Sequence, residues 1–226
     1  MVRFPDERRI ALKKTAFVFL FIVFAFLLAS CSKENAEPQK KDYAVVNGET
    51  VTSDEMDYFR GRNRAVIINE YAEKYGVTDF SDFWDKDFDG STPSQTLEDR
   101  AFEQAVEAKI KLVMMRDKEI YDDISFSGLK ERAEKYNEEH KNAVGNVGIK
   151  TVDMNGFYTY YISTGEMKLK NILAENELKP TEDELAAAES GHGGLTENGL
   201  ISLVVSEKYE KLIEEKINNA EIERSK

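Results

Sequence analysis

The chain has no second cysteine: Cys31 stands alone among 226 residues. No internal disulfide can form, so apolar packing has to hold the fold. The chain also has no apolar run long enough to span a bilayer as a helix, which takes about 20 residues; the run from Ala16 to Leu28 stops at 13. Positive charge is short, with 31 lysines and arginines against 43 aspartates and glutamates. A surface of that sign repels nucleic acid and anionic lipid headgroups. Histidine is nearly missing. His140 lies in a strongly charged stretch and His192 in a glycine loop, neither with a cysteine or histidine at ligand spacing. Metal catalysis and histidine-based triads therefore find no support, and nothing calls for a cofactor. There is no internal repeat, and the many neighbouring acids are those of solvated helix faces.

What is present begins with a leader. Arg3, Arg8, Arg9, Lys13 and Lys14 precede the apolar run, and Leu28-Ala29-Ser30-Cys31 ends it. A charged start, a short apolar core and small residues before a cut site make a secretory signal. The last four residues resemble the lipobox of bacterial lipoproteins, in which the cysteine is lipidated and becomes the new N-terminus. The resemblance implies a lipid anchor on Cys31 and a place on the extracytoplasmic face of the cell membrane. The leader holds five basic and two acidic residues, which leaves 26 and 41, a net of −15, for the rest. Attachment to a membrane would then come from the lipid and not from charge.

Ser32 to Asp42 is polar and reads as a tether. In Tyr43–Val51, two apolar runs flank Asn47-Gly48, a strong hairpin signal. Thr52 with Glu55 forms a capping box that opens a helix stopped at Gly76. Met56, Phe59, Asn63, Val66, Ile67 and Tyr71 recur along it at helical spacing. Residues 77–93 are irregular and aromatic. A second helix is predicted from Pro93-Ser94 to about Ile120, with Leu97, Ala101, Ala105, Ala108, Leu112 and Met115 inward. Further helices are predicted from Ser127 to about Lys141 and from Asp153 to about Asn176, separated by a loop at Gly145 and Gly148. A short helix opens at the Thr181 and Glu184 capping box and breaks at Ser190–Gly194. A last helix is predicted from about Leu203 to Asn219, burying Val205, Tyr209, Leu212 and Ile213, and Glu221–Glu223 forms a closing strand. The fold class is mostly α, with a small hairpin and closing strand.

Several segments are similar to the chaperone domain of the SurA and PrsA foldases. They are Val46–Thr52, Phe83-Trp84 with Asp89–Pro93, Leu178–Leu185, and Lys208–Ile213 through Ala220–Glu223. Their order after a lipobox implies a protein that holds unfolded or secreted polypeptides. In that family a parvulin isomerase domain precedes the last helix. Here Leu185 and Tyr209 are separated by only 23 residues, and a domain needs at least about 50. The resemblance therefore implies a chaperone domain without isomerase activity, not an enzyme. Residues 1–30 would be signal peptide, 31–42 tether and 43–226 a single domain, with 43–190 as its N-terminal part and 201–226 as the returning helix and strand. The rival functions are a residual prolyl isomerase and a structural or adaptor lipoprotein that binds no client.

Two residue sets remain. Asp85-Lys86-Asp87-Phe88-Asp89-Gly90 fits the first half of a calcium loop, with acids at one, three and five and glycine at six. The second half fails, because position twelve is Thr96 and position nine is Pro93. An aspartate-rich turn before a helix explains the same residues. The second set is aromatic: Phe80, Phe83, Trp84 and Phe88, with Tyr158, Tyr160 and Tyr161. It serves either as ordinary core or as an apolar crevice for unfolded segments. In the crevice reading Phe80, Phe83, Trp84, Phe88, Tyr158 and Tyr161 are the client-binding residues.

Overall fold

The first and last described segments of the chain meet in one sheet. The structure, a computed structural model, describes residues 42–141 and 151–225. The leader, Cys31, the tether up to residue 41 and the Gly145–Gly148 loop lie outside them. Strand β1 (Asp42–Val46) turns through Asn47 and Gly48, at φ 50° and 81°, into β2 (Glu49–Thr52). Two positive φ values suit the tight turn of a two-residue hairpin, which is why Asn-Gly stands there. Strand β3 (Ile222–Arg224) pairs antiparallel with the other edge of β1, giving the order β2-β1-β3. Asn47 ties that edge further: its N–H donates to the Glu221 carbonyl, and its Oδ1 accepts from the Glu221 N–H, both at 2.9 Å. Ala44, Val46 and Val51 point inward and are fully buried.

Six helices follow the hairpin among the described residues: α1 (Ser53–Tyr75), α2 (Pro93–Asp117), α3 (Phe126–His140), α4 (Met154–Ala174), α5 (Glu182–Gly191) and α6 (Glu197–Asn218). Capping boxes start three of them: Thr52 with Glu55, Thr92 with Gln95, and Thr181 with Glu184. Gly76, at φ 66°, ends α1 in the left-handed conformation. Two starts correct the expectation. Ser125, not Ser127, caps α3 by accepting from the Gly128 N–H. Thr196 caps α6 by accepting from the Gly199 N–H, so this helix begins well before Leu203. None of the helices among the described residues is long and apolar enough to cross a membrane.

Helices α1 and α2 form an antiparallel hairpin. Asn63 and Gln104 bond across it, Tyr71 bonds Thr96 at 2.7 Å, and Arg100 grips Glu70 with both guanidinium nitrogens at 2.9 Å. The main core gathers Met56 and Phe59 of α1, Ala105, Leu112 and Met115 of α2, and Leu169 and Leu173 of α4. Each of the larger of these side chains contributes ~1.5–3 kcal/mol relative to exposure. Of the periodic residues on α1, Val66 faces solvent. Tyr160 and Ile172 of α4 do so too, because they fall off the inward stripe of Phe157, Tyr158, Tyr161, Gly165, Leu169 and Leu173. A smaller cluster of Ile67, Phe83 and Leu97 fills the far end of the α1–α2 hairpin. Where the sheet, α1, α2 and α4 converge, Lys109 Nζ lies 2.8 Å from Glu55 Oε1, with both side chains 2% exposed. Glu55 Oε2 also accepts from the Thr52 N–H at 2.9 Å, so one carboxylate caps α1 and neutralises a buried lysine.

Candidate functional site

The structure separates the aromatic residues expected to bind clients. Phe80, Phe83, Trp84 and Phe88 sit at the far end of the α1–α2 hairpin, while Tyr158 and Tyr161 lie on α4 in the main core. Phe83, Tyr158 and Tyr161 are buried. Burial, reinforced by Glu55, raises the Tyr158 hydroxyl pKa, and burial pushes that of Tyr161 up to about 12. These rings pack the fold and offer no surface in this conformation. Phe80 is 42% exposed. Trp84 and Phe88 are half-buried, with the Arg64 guanidinium 4.3 Å above the Trp84 ring and Phe88 packed edge-on to Tyr71.

Two of the three aspartates of the half calcium loop, Asp87 and Asp89, are hydrogen-bonded to protein groups. Asp89 and Gly90 adopt φ 57° and 93° between the paired Phe88 and Ser91. Asp87 Oδ1 accepts from the Gly90 N–H, and Asp89 Oδ2 accepts from the Tyr75 hydroxyl. Thr96 and Pro93 belong to the first turns of α2. Among the described residues no group of three or more histidines, cysteines, aspartates and glutamates is placed to hold a metal ion. His140 stacks on Tyr136 and bonds its carbonyl, and His192 is exposed at the end of α5.

A groove between α4 and α6 is the surface the sequence reading passed over. Its cavity measures about 480 Å³. On the α4 side it is lined by Ser163, Glu166, Met167, Lys170, Asn171 and Ala174, and on the α6 side by Asn198, Ile201, Ser202, Val205 and Ser206. Spacings of three and four put each set on one helix face. Met167 is 60% exposed there. Glu166 and Lys170 also border a second cavity of about 400 Å³, bounded by Glu107 and Lys111 of α2 and by Tyr209, Glu210 and Glu214 of α6. The two cavities adjoin at Glu166 and Lys170, which line both, and are taken together as the α4–α6 trench.

The second cavity carries a charge network. Lys111 pairs with Glu107 at 2.7 Å and Glu166 at 3.2 Å, and Lys170 pairs with Glu166 at 3.3 Å. Burial opposes the charge on Lys111, but the bonds to Glu107 and Glu166 outweigh it and its pKa rises. Tyr209 forms the floor at 1% exposure, and among the described residues its hydroxyl has no hydrogen-bond partner. Burial raises its pKa, and the nearby charges of Glu166 and Glu107 raise it further, so the group is a neutral phenol. A trench with an aliphatic end and a carboxylate-rich end can bind an extended segment without covalent chemistry. The signal was present in sequence as the Ser163, Met167, Asn171, Ala174 stripe, but its mixed polarity does not stand out from a solvated face.

Comparison with protein-family models, with curated proteins and with solved structures finds no match to this chain.

Proposed function

We propose that the chain is a lipid-anchored extracytoplasmic protein that holds unfolded exported polypeptides without catalysing prolyl isomerisation. The observation that carries the reading is the open α4–α6 groove with Met167 exposed in it. A flexible, polarisable methionine suits a surface that must accept many side-chain shapes. The lipobox-like Leu28–Cys31 supports the anchor, and the ordered likeness to the SurA and PrsA chaperone domain supports the client. The β1–β3 pairing is consistent with a chaperone half whose ends are joined by the short link after α5. Holding would work by transient burial of client apolar surface at about 25 cal/mol per Å², which lowers the free concentration of aggregating chain. Phe80, with Trp84 and Phe88 beside it, would supply a secondary contact at the hairpin end.

Aggregation of an unfolded model client tests this. The wild-type chain should suppress it at stoichiometric ratio, and Met167→Asp combined with Ile201→Asp should lose most of the effect while keeping its circular dichroism. Equal suppression by the folded double variant would remove the groove from the argument. Turnover of an X-Pro peptide would overturn the non-catalytic reading. The adaptor reading is favoured by the burial of Phe83, Tyr158 and Tyr161, which consumes much of the aromatic surplus in packing. Failure of the wild-type chain to suppress aggregation would select it. Cys31→Ala should move the protein from the membrane to the soluble or unprocessed fraction, and retention as a mature membrane protein would exclude the lipid anchor.

A further inference from the structure

Resting on the client-holding reading, we propose that the α4–α6 trench is selective: it takes segments that carry a lysine or arginine beside aliphatic residues. The aliphatic end is set by Met167 and Ile201. The other end holds Glu107, Glu166, Glu210 and Glu214 against Lys111 and Lys170, two more negative charges than positive. Both lysines are already matched by Glu107 and Glu166. Glu210 and Glu214 lie one turn apart on α6, exposed, and have no ion-pair partner among the described residues. Unmatched acid at the rim of a cavity attracts a cation.

Tyr209 is the independent pointer to a ligand. A buried hydroxyl with no partner is uncommon in folded proteins. Tyr209 lines the same cavity as Glu166 and Glu107. A phenol can accept a hydrogen bond, and an ammonium or guanidinium can only donate one. Lys170 lies over the Tyr209 ring, with Nζ 4.6 Å from its centre. Its long flexible stem lets it swing aside as a segment enters. The incoming cation then meets Tyr209 from above and Glu210 and Glu214 from the rim, while its aliphatic neighbours reach the Met167 end.

Fluorescence anisotropy of three labelled peptides, with the full chain in lipid nanodiscs of neutral headgroup, tests the assignment. The peptides share one aliphatic sequence and differ only in a central lysine, glutamine or glutamate. At low salt the lysine peptide should bind about tenfold more tightly than the glutamate peptide, and the gap should narrow as salt screens it. Glu210→Gln with Glu214→Gln should cut that ratio to about twofold. Tyr209→Phe, which preserves shape and packing, should lower the lysine-to-glutamine ratio, with thermal unfolding confirming the fold. Equal binding of all three peptides would overturn the charge selectivity and leave client holding intact. No binding of any peptide would overturn both.

Discussion

Glu55 shows how much one residue is asked to do. Its carboxylate completes the cap of α1 through the Thr52 N–H and meets the buried Lys109 ammonium at 2.8 Å. Lys109→Met should therefore cost more than a surface pair would. It removes the partner and leaves a charged carboxylate in the interior, a change worth about 3–5 kcal/mol in comparable sites. Urea unfolding of the single variants and of the Glu55→Gln, Lys109→Met double variant should give a double-variant loss well below the sum of the singles. Additive losses would mean that the two residues act independently. Little of this was legible beforehand. Glu55 could be read as half of a capping box, but nothing in the sequence pairs it with a lysine 54 positions away. The aromatic residues make the complementary point. Tyr158 and Tyr161 share the inward stripe of α4 with Leu169 and Leu173, while Tyr160 points out. Spacing separates them, whereas a count of aromatics does not.

At the level of elements, the capping chemistry decided what could be read. Thr52 with Glu55 and Thr181 with Glu184 carry the threonine-x-x-glutamate signature, and their helices begin where it places them. Helices α3 and α6 have glycine at the third position, Gly128 and Gly199, which removes that signature and lowers helix propensity. Helix α4 has glycine at the same position, Gly156, yet starts after Asp153 as expected, so the missing signature alone does not displace a start. Another glycine fixes how α4 meets α2. A Cβ built at Gly165 would lie 2.5 Å from Met115 Sδ and 2.6 Å from a Tyr121 ring carbon. Tyr121 stacks on Tyr161 at 3.9 Å and donates to its carbonyl, so the ring has little freedom to yield. Gly165→Ala should gain helix propensity of up to about 1 kcal/mol and lose about 1–3 kcal/mol to overpacking. A net fall in the melting temperature is expected, and a rise would mean that the α2–α4 contact relaxes freely.

On the scale of the molecule, the described residues belong to one compact unit, although its sheet is built from opposite ends of the chain. The hairpin was legible from Asn47-Gly48, and a closing strand was expected at Glu221–Glu223, where β3 forms. The trench was not, because it is made by α2, α4 and α6, whose facing residues are far apart in sequence. Long-range juxtaposition of mixed-polarity faces leaves no local pattern to find. The same connectivity makes the C-terminal segment indispensable. Helix α6 delivers Val204, Val205, Tyr209 and Ile213 into the interior, and β3 covers the free edge of β1. The ring of Phe102 is capped there by the Arg224 guanidinium at 3.8 Å. Deleting residues 203–226 would expose Ala44 and Val46 along the uncovered edge and open the α2–α4 core where Tyr209 and Ile213 pack. Single buried large-to-alanine changes cost about 2–5 kcal/mol, and a small domain has about 5–15 kcal/mol in total. Loss of four such side chains together should abolish cooperative unfolding, read as a flat near-ultraviolet dichroism melt. A truncated chain that melts sharply at the wild-type temperature would mean that the first 202 residues fold on their own, with the β1–β3 pairing and the α6 contacts incidental to stability.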